Sequence, residues 1–246
     1  MLTIDKAPSE TPLAIIGIKD PVLAERLGRL GVHVGDRVSR LAEEAMAGPV
    51  RVRGPKGEVV LAAGMAAKII AHHDDRHKTP VLEMNPGEEG HVEGLVCGSA
   101  MEKGLEVLGI RENDRITMVR RIPPMSYQAV VDGRRVNLSE GAAAKIWVSM
   151  EGRDMQLAMA GTGKPLTVKL LIGGERALAM LESLGLAPGR TVTVERVAPA
   201  RVAGVGGRDQ IVLAAPSGLR FYLRPDQARA VLVQPAASSK RVDEPA

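Results

Sequence analysis

The chain repeats itself three times. The segments LAERLGRLGVHVGDRV (23–38), MEKGLEVLGIRENDRI (101–116) and ALAMLESLGLAPGRTV (177–192) superpose on Gly31, Gly109 and Gly185, which stand 78 and 76 residues apart. Self-similarity at a fixed period means that one small unit is built several times over, which constrains the fold more than any composition can. The match extends upstream, where Leu2 with IIGIKD, Leu82 with VEGLVCG and Leu157 with TVKLLIGG keep nearly constant distance from those glycines. Downstream, LAAGMAAKIIAH, LSEGAAAKIWVS and LRPDQARAVLVQ align without gaps. The units are residues 1–75, 76–152 and 153–235, and the polar tail 236–246 that follows is expected to be disordered.

Within each unit the elements follow from residue spacing. An apolar strand opens it. Leu23, Leu27 and Leu30, then Met101, Leu105 and Leu108, then Leu178, Leu181 and Leu184 recur at three- and four-residue intervals, one apolar stripe along a short helix. Asp20 before Pro21 caps the first helix, and Ser99 with Glu102 has the form of a capping box in the second. Gly31, Gly109 and Gly185 end the helices, as a residue free to adopt left-handed dihedrals does. Four residues on, Gly35, Asn113 and Gly189 mark a turn. A strand comes next, then a hairpin turning at Gly-Pro-Lys-Gly, Asp132-Gly133 or Pro216-Ser217-Gly218, an alanine-rich turn and a last strand. Short strands and tight turns in so small a unit are best closed into a small barrel, which removes sheet edges. The expected fold is therefore mainly β, with three tandem small β-barrels, each carrying one short α-helix.

Composition limits what such units can do. Of 246 residues, 45% are apolar, yet the aromatics are only Tyr127, Trp147, Phe221 and Tyr222. The core is aliphatic. The one cysteine, Cys97, forms no internal disulfide and no cysteine cage for zinc. The N-terminus lacks a basic region followed by an apolar run, and no stretch approaches the roughly 18 apolar residues of a membrane span. The expectation is a soluble, cytoplasmic chain.

The pattern LGRLGVHVGDRV with LAAGMAAKII, LEVLGIRENDRI with LSEGAAAKIW, and LESLGLAPGRTV with LRPDQARAVL resembles the FeoA domain. The resemblance covers essentially the whole chain three times. It implies an SH3-like barrel and a place in bacterial ferrous-iron uptake, where FeoA proteins are cytosolic accessories to a GTP-driven membrane permease. It supplies no catalytic residues. A similar barrel ends some iron-dependent repressors, but no helix-turn-helix precedes the barrels here. The third copy departs from the others in a hairpin region about nine residues longer, around 202–210.

One stretch carries candidate ligands. AHHDDRHKTP (71–80) packs three of the five histidines with two aspartates, and His72, His73, Asp74 and His77 could hold a labile divalent metal, Fe2+ or Zn2+. No cofactor is required by the sequence. The stretch falls where one repeat ends and the next begins, so the favoured reading is a polar joint, because a linker gives ligands neither rigidity nor outer-shell support. AGTGKP (160–165) fails as a phosphate loop: Ala158 and Pro165 stand where glycine and Ser or Thr are needed. Gly163-Lys164 reads as the turn before a strand. No serine, histidine and acid constellation recurs between copies, so the chain is read as a binding protein and not an enzyme.

Charge is uneven. The first two repeats balance, while residues 154–235 carry 10 basic against 6 acidic side chains, so the whole excess of +4 sits there. Arg190, Arg196, Arg201, Arg208, Arg220, Arg224 and Arg229 favour an acidic partner, whether an acidic protein surface, phospholipid or nucleic acid. Nucleic acid is disfavoured, since only Phe221 and Tyr222 could offer stacking platforms. The expected role is an adaptor binding the cytosolic part of a ferrous-iron permease or a related partner. A metal-responsive regulator and a nucleic-acid-binding barrel array are the alternatives.

Overall fold

The computed structural model of the chain describes residues 2–42, 48–200 and 211–236. The tail beyond 236, expected to be disordered, and the longer hairpin region at 202–210 lie outside the described residues.

In chain order the first repeat forms β1 (Leu2–Thr3), β2 (Pro12–Ile18), α1 (Pro21–Arg29), β3 (Arg37–Arg40), β4 (Val50–Gly54), β5 (Gly57–Leu61), α2 (Ala63–Ala66) and β6 (Ile69–His72). The second forms β7 (Lys78–Pro80), β8 (Glu89–Leu95), α3 (Ser99–Val107), β9 (Arg115–Arg121), β10 (Met125–Val131), β11 (Arg134–Ser139), α4 (Glu140–Ala143) and β12 (Ile146–Met150). The third forms β13 (Arg153–Gln156), β14 (Pro165–Leu171), α5 (Glu175–Ser183), β15 (Thr191–Pro199), β16 (Ile211–Ala214), β17 (Arg220–Leu223), α6 (Pro225–Ala230) and β18 (Val231–Pro235). The fold is mainly β, as expected. The alanine-rich turns prove to be second, very short helices, and β1, β7 and β13 are short strands that the repeat pattern does not announce.

The three main helices end alike. Gly31, Gly109 and Gly185 take φ of 85°, 76° and 84°, and the next residue's N–H reaches back to a buried leucine carbonyl: Val32 to Leu27, Ile110 to Leu105, Leu186 to Leu181. This is the helix-ending motif that a left-handed residue permits, closed by an apolar contact. Asp20 caps α1 by accepting from the N–H groups of Val22 and Leu23. The capping box expected at Ser99 does not form. Gly98 is the N-cap of α3 and Ser99 is already its first residue, so the hydroxyl sits one position too late to bond the orphan donors.

Strand pairing departs from the repeat boundaries. Three antiparallel sheets run in the orders β5-β4-β9-β8-β6-β7, β11-β10-β15-β14-β12-β13 and β1-β18-β2-β3-β16-β17. Each sheet joins the second half of one repeat to the first half of the next, and the cycle closes where β18 and β16 of the third repeat pair with β2 and β3 of the first. The sequence units 1–75, 76–152 and 153–235 thus each contribute to two sheets. Among the described residues the two end strands of no sheet pair with each other, so each is an SH3-like arrangement with open edges rather than a closed cylinder.

The link from β9 to β10 gives a physical reason. It is Ile122-Pro123-Pro124. Two adjacent prolines fix φ, remove two N–H donors and hold the preceding residue extended. A tight hairpin between β9 and β10 is disfavoured, and β10 pairs with β15 through Ala129↔Val194 and Val131↔Val192 instead.

Two compact units result, one from 1–44 with 209–246 and one from 45–208. In the larger unit the two sheets are locked together. Gln156, fully buried, donates from Nε2 to the carbonyls of Val60 and Ala144 at 2.7 and 2.6 Å and accepts from the Val60 N–H at 2.7 Å. Val60, Ile122 and Ala144 pack around this strap. Gly104 on α3 approaches Ile172 so closely that a Cβ there would lie 2.5 Å from its Cγ2.

Candidate functional site

The stretch 71–80, where one repeat gives way to the next, is built as a hairpin. Its two arms, β6 and β7, pair through Ile70↔Pro80, Ala71↔Thr79 and His72↔Lys78. The turn is closed by the His73 N–H on the His77 carbonyl and the Arg76 N–H on the His73 carbonyl, with Arg76 in the left-handed region at φ 72°. The premise that ligands here would lack a rigid frame is therefore corrected: both histidines sit at the base of a turn closed by their own backbone bond, between two paired strands of a six-stranded sheet.

His73 and His77 stack with ring centroids 4.0 Å apart and planes within 4°. Glu88 faces both, its Oε1 lying 3.4 Å from His73 Nδ1 and 3.6 Å from His77 Nε2. Donor atoms of His73, His77 and Glu88 all lie within 4.8 Å of one another. The spacing follows from local chemistry. Asn85-Pro86-Gly87-Glu88 is a tight turn, with Gly87 at φ 87° and the Glu88 N–H on the Asn85 carbonyl. The Asn85 N–H donates to Glu88 Oε2 at 2.7 Å, which leaves Oε1 turned toward the histidines. Gly90, on β8, permits the close approach, since a Cβ there would meet the His72 carbonyl oxygen at 3.0 Å and His73 Nδ1 at 3.4 Å.

Each ring has an orienting partner. His77 Nδ1 hydrogen-bonds Asp75 Oδ1, and Asp75 also accepts the His77 N–H. These bonds hold the Asp75 carboxyl below its ordinary range. His73 Nδ1 lies 2.8 Å from the Glu89 carbonyl oxygen, while its Nε2 is buried with no hydrogen-bond partner. His73 is 6% exposed, so its polar ring sits in the protein interior.

Of the four ligand candidates read from sequence, the structure brings together His73 and His77. His72 points elsewhere, with Nδ1 3.6 Å from Glu93, a carboxylate already held by Lys78 at 2.8 Å. Asp74 is exposed at the tip of the turn. Sequence reasoning misses Glu88 and Asp75. Asp75 lies inside the quoted motif, and its i, i+2 spacing to His77 is the signal that could have found it. Glu88 sits 11 residues beyond His77 in another turn, and only strand pairing delivers it.

The remaining candidates are resolved more simply. Gly163, at φ 82°, is the turn that feeds β14, as expected. Phe221 and Tyr222 are 1% and 3% exposed, which removes the stacking platforms that single-stranded nucleic acid would need. Arg190 is paired with Asp132 and Arg224 with Asp226; Arg196 and Arg229 are exposed, and Arg201 and Arg208 lie outside the described residues. No helix among the described residues is long and apolar enough to cross a membrane.

A second polar cluster lies in the larger unit. Glu140 is 4% exposed and its Oε2 has no partner. Burial pushes its carboxyl up, against the lowering influence of the nearby Tyr127 hydroxyl and of the charges of Arg51 and Arg120, and burial likewise pushes the Tyr127 hydroxyl up.

Comparison with known families gives one result. The model of a family described as the FeoA domain matches three times, at residues 2–72, 79–150 and 155–235. No curated protein and no solved structure matches the chain.

Proposed function

The chain belongs to the FeoA domain family, which is linked to ferrous-iron transport, and from that premise we propose that it is a cytoplasmic, non-catalytic adaptor that docks on the cytosolic part of a ferrous-iron permease. The observation that carries the reading is the threefold match, since the matched segments follow one another with no room between them for a domain of another kind. No nucleophile, base and acid recur at equivalent positions of the three copies, which suits recognition better than catalysis.

The exchange of strands supports docking through several copies at once. Two of the three sheets are held in register by Gln156 and by the apolar contacts around Val60. Surfaces fixed relative to one another can engage a partner jointly, and the second contact then forms at high effective concentration. The exposed arginines of the third repeat steer the encounter toward an acidic face.

Co-sedimentation tests this. Purified protein is mixed with membranes that contain the permease and with membranes that lack it, at low and at moderate salt. Recovery in the pellet only with permease, weakening as salt rises, is the expected result. Equal recovery with both membranes, or none with either, contradicts the adaptor role.

A further inference from the structure

We propose that His73, His77 and Glu88 bind one divalent first-row transition-metal ion. The inference rests on the geometry of the hairpin and the Asn85–Glu88 turn, apart from the docking role proposed above, and either can fail without the other.

Bonds of about 2.0–2.2 Å from a metal to nitrogen and oxygen place neighbouring ligands about 3–3.5 Å apart. The facing pairs here, at 3.4 and 3.6 Å, are already at that spacing within a few tenths of an ångström. The two rings stack nearly parallel, so they must rotate apart before both in-plane lone pairs meet at one ion. His73 Nδ1 faces two oxygens, Glu88 Oε1 at 3.4 Å and the Glu89 carbonyl at 2.8 Å. A nitrogen lone pair among oxygen acceptors is unfavourable unless a proton or a cation lies between them, and a cation there gains the Glu89 carbonyl as a fourth donor.

Outer-shell support is present for each side chain that needs it. Asp75 fixes His77 through Nδ1 and so presents Nε2, while the Asn85 N–H fixes the far oxygen of Glu88. A carboxylate on the second nitrogen of a histidine is the arrangement that sets tautomer and raises ligand basicity at metal sites. Two imidazoles and a carboxylate, with no thiolate, suit ferrous iron and zinc rather than calcium or magnesium, which take oxygen shells. Three side chains leave coordination positions open, so the ion is exchangeable rather than caged. The ligands come from two successive repeats, and an ion would tie β6 and β7 to the loop before β8.

Isothermal titration of the full chain with zinc, and anaerobically with ferrous iron, reads the site. One ion of each per chain is expected, with zinc the tighter, as the affinity order of first-row ions requires. Because His73 is buried and its replacement could unfold the sheet, Glu88→Gln and His77→Gln are the deciding variants. Both should lose stoichiometric binding while retaining the parent's thermal melt without metal. Asp75→Asn should bind about 10-fold more weakly, and His72→Gln should bind like the parent. Saturating zinc should raise the melting temperature of the parent and not of Glu88→Gln. Absence of stoichiometric binding, or binding unchanged in Glu88→Gln and His77→Gln, would overturn the assignment. Loss in His72→Gln alone would overturn the ligand set.

Discussion

Gln156 and Val60, 96 residues apart, exchange a pair of 2.7 Å hydrogen bonds, the side-chain amide of one matching the backbone N–H and C=O of the other. The amide stands in for one rung of a strand ladder and joins two sheets that share no strand. Replacing Gln156 with leucine leaves three backbone groups buried and unpaired, those of Val60 and the Ala144 carbonyl. The expected cost is at least about 2 kcal/mol, since each such group costs about 1–3 kcal/mol. Urea denaturation should show a lowered midpoint, and a curve superposed on the parent's would contradict the strap.

The sheets also predict where the chain can be cut. A fragment of residues 45–208 carries two complete sheets and should give a dispersed NMR spectrum. Residues 76–152, a whole repeat, carry β7, β8 and β9 of one sheet and β10 to β12 of another, each set without the other three strands of its sheet. That fragment should be unfolded or aggregated. A monomeric, dispersed spectrum from 76–152 would show that the repeat can close on itself and that the exchange is not obligatory.

Glycine at the helix ends is required by backbone conformation, and one site adds a steric demand. Around Gly31 nothing lies within 4 Å of an added Cβ, whereas at Gly109 a Cβ would fall 2.7 Å from the side chain of Lys56. Gly31→Ala should cost about 1 kcal/mol from the left-handed conformation alone, and Gly109→Ala more, by whatever displacing Lys56 adds. Equal, negligible shifts in thermal melts would contradict the shared turn.

Glu140 gives the chain a pH dependence of known sign. Its folded-state pKa is raised by burial, so it favours the folded state below the ordinary carboxylate range near 4.5, and that contribution is lost as pH rises through the raised value. Glu140→Gln, which stays neutral, should match the parent near pH 4 and exceed it at pH 7. A difference in denaturation midpoint that does not change between these pH values would contradict the assignment.

Much of this architecture is legible in the residues themselves. The leucine stripes, the glycines that end α1, α3 and α5, and the hairpin turns at Asp132-Gly133 and Pro216-Ser217-Gly218 are local decisions, written in a few adjacent positions. Strand pairing is not local. Because the three copies offer equivalent strands, β10 could satisfy β9 or β15 equally well by pattern, and the stiff link Ile122-Pro123-Pro124 favours β15. The candidate metal cluster divides in the same way. His73 and His77 share a turn and announce themselves, while Glu88 arrives through the pairing of β6 with β8, at His72↔His91 and Ala71↔Val92. His72 looks like a ligand because it adjoins His73, but alternation along a strand sends neighbours to opposite faces.

Ferrous-iron transport is where the adaptor role must show itself. The direct measurement is anaerobic uptake of ferrous iron by vesicles carrying the permease, with and without this protein on the cytosolic face. An adaptor changes the uptake rate in a way that saturates with added protein and is absent from vesicles lacking the permease. An uptake rate indifferent to the protein at every concentration tested would contradict that role.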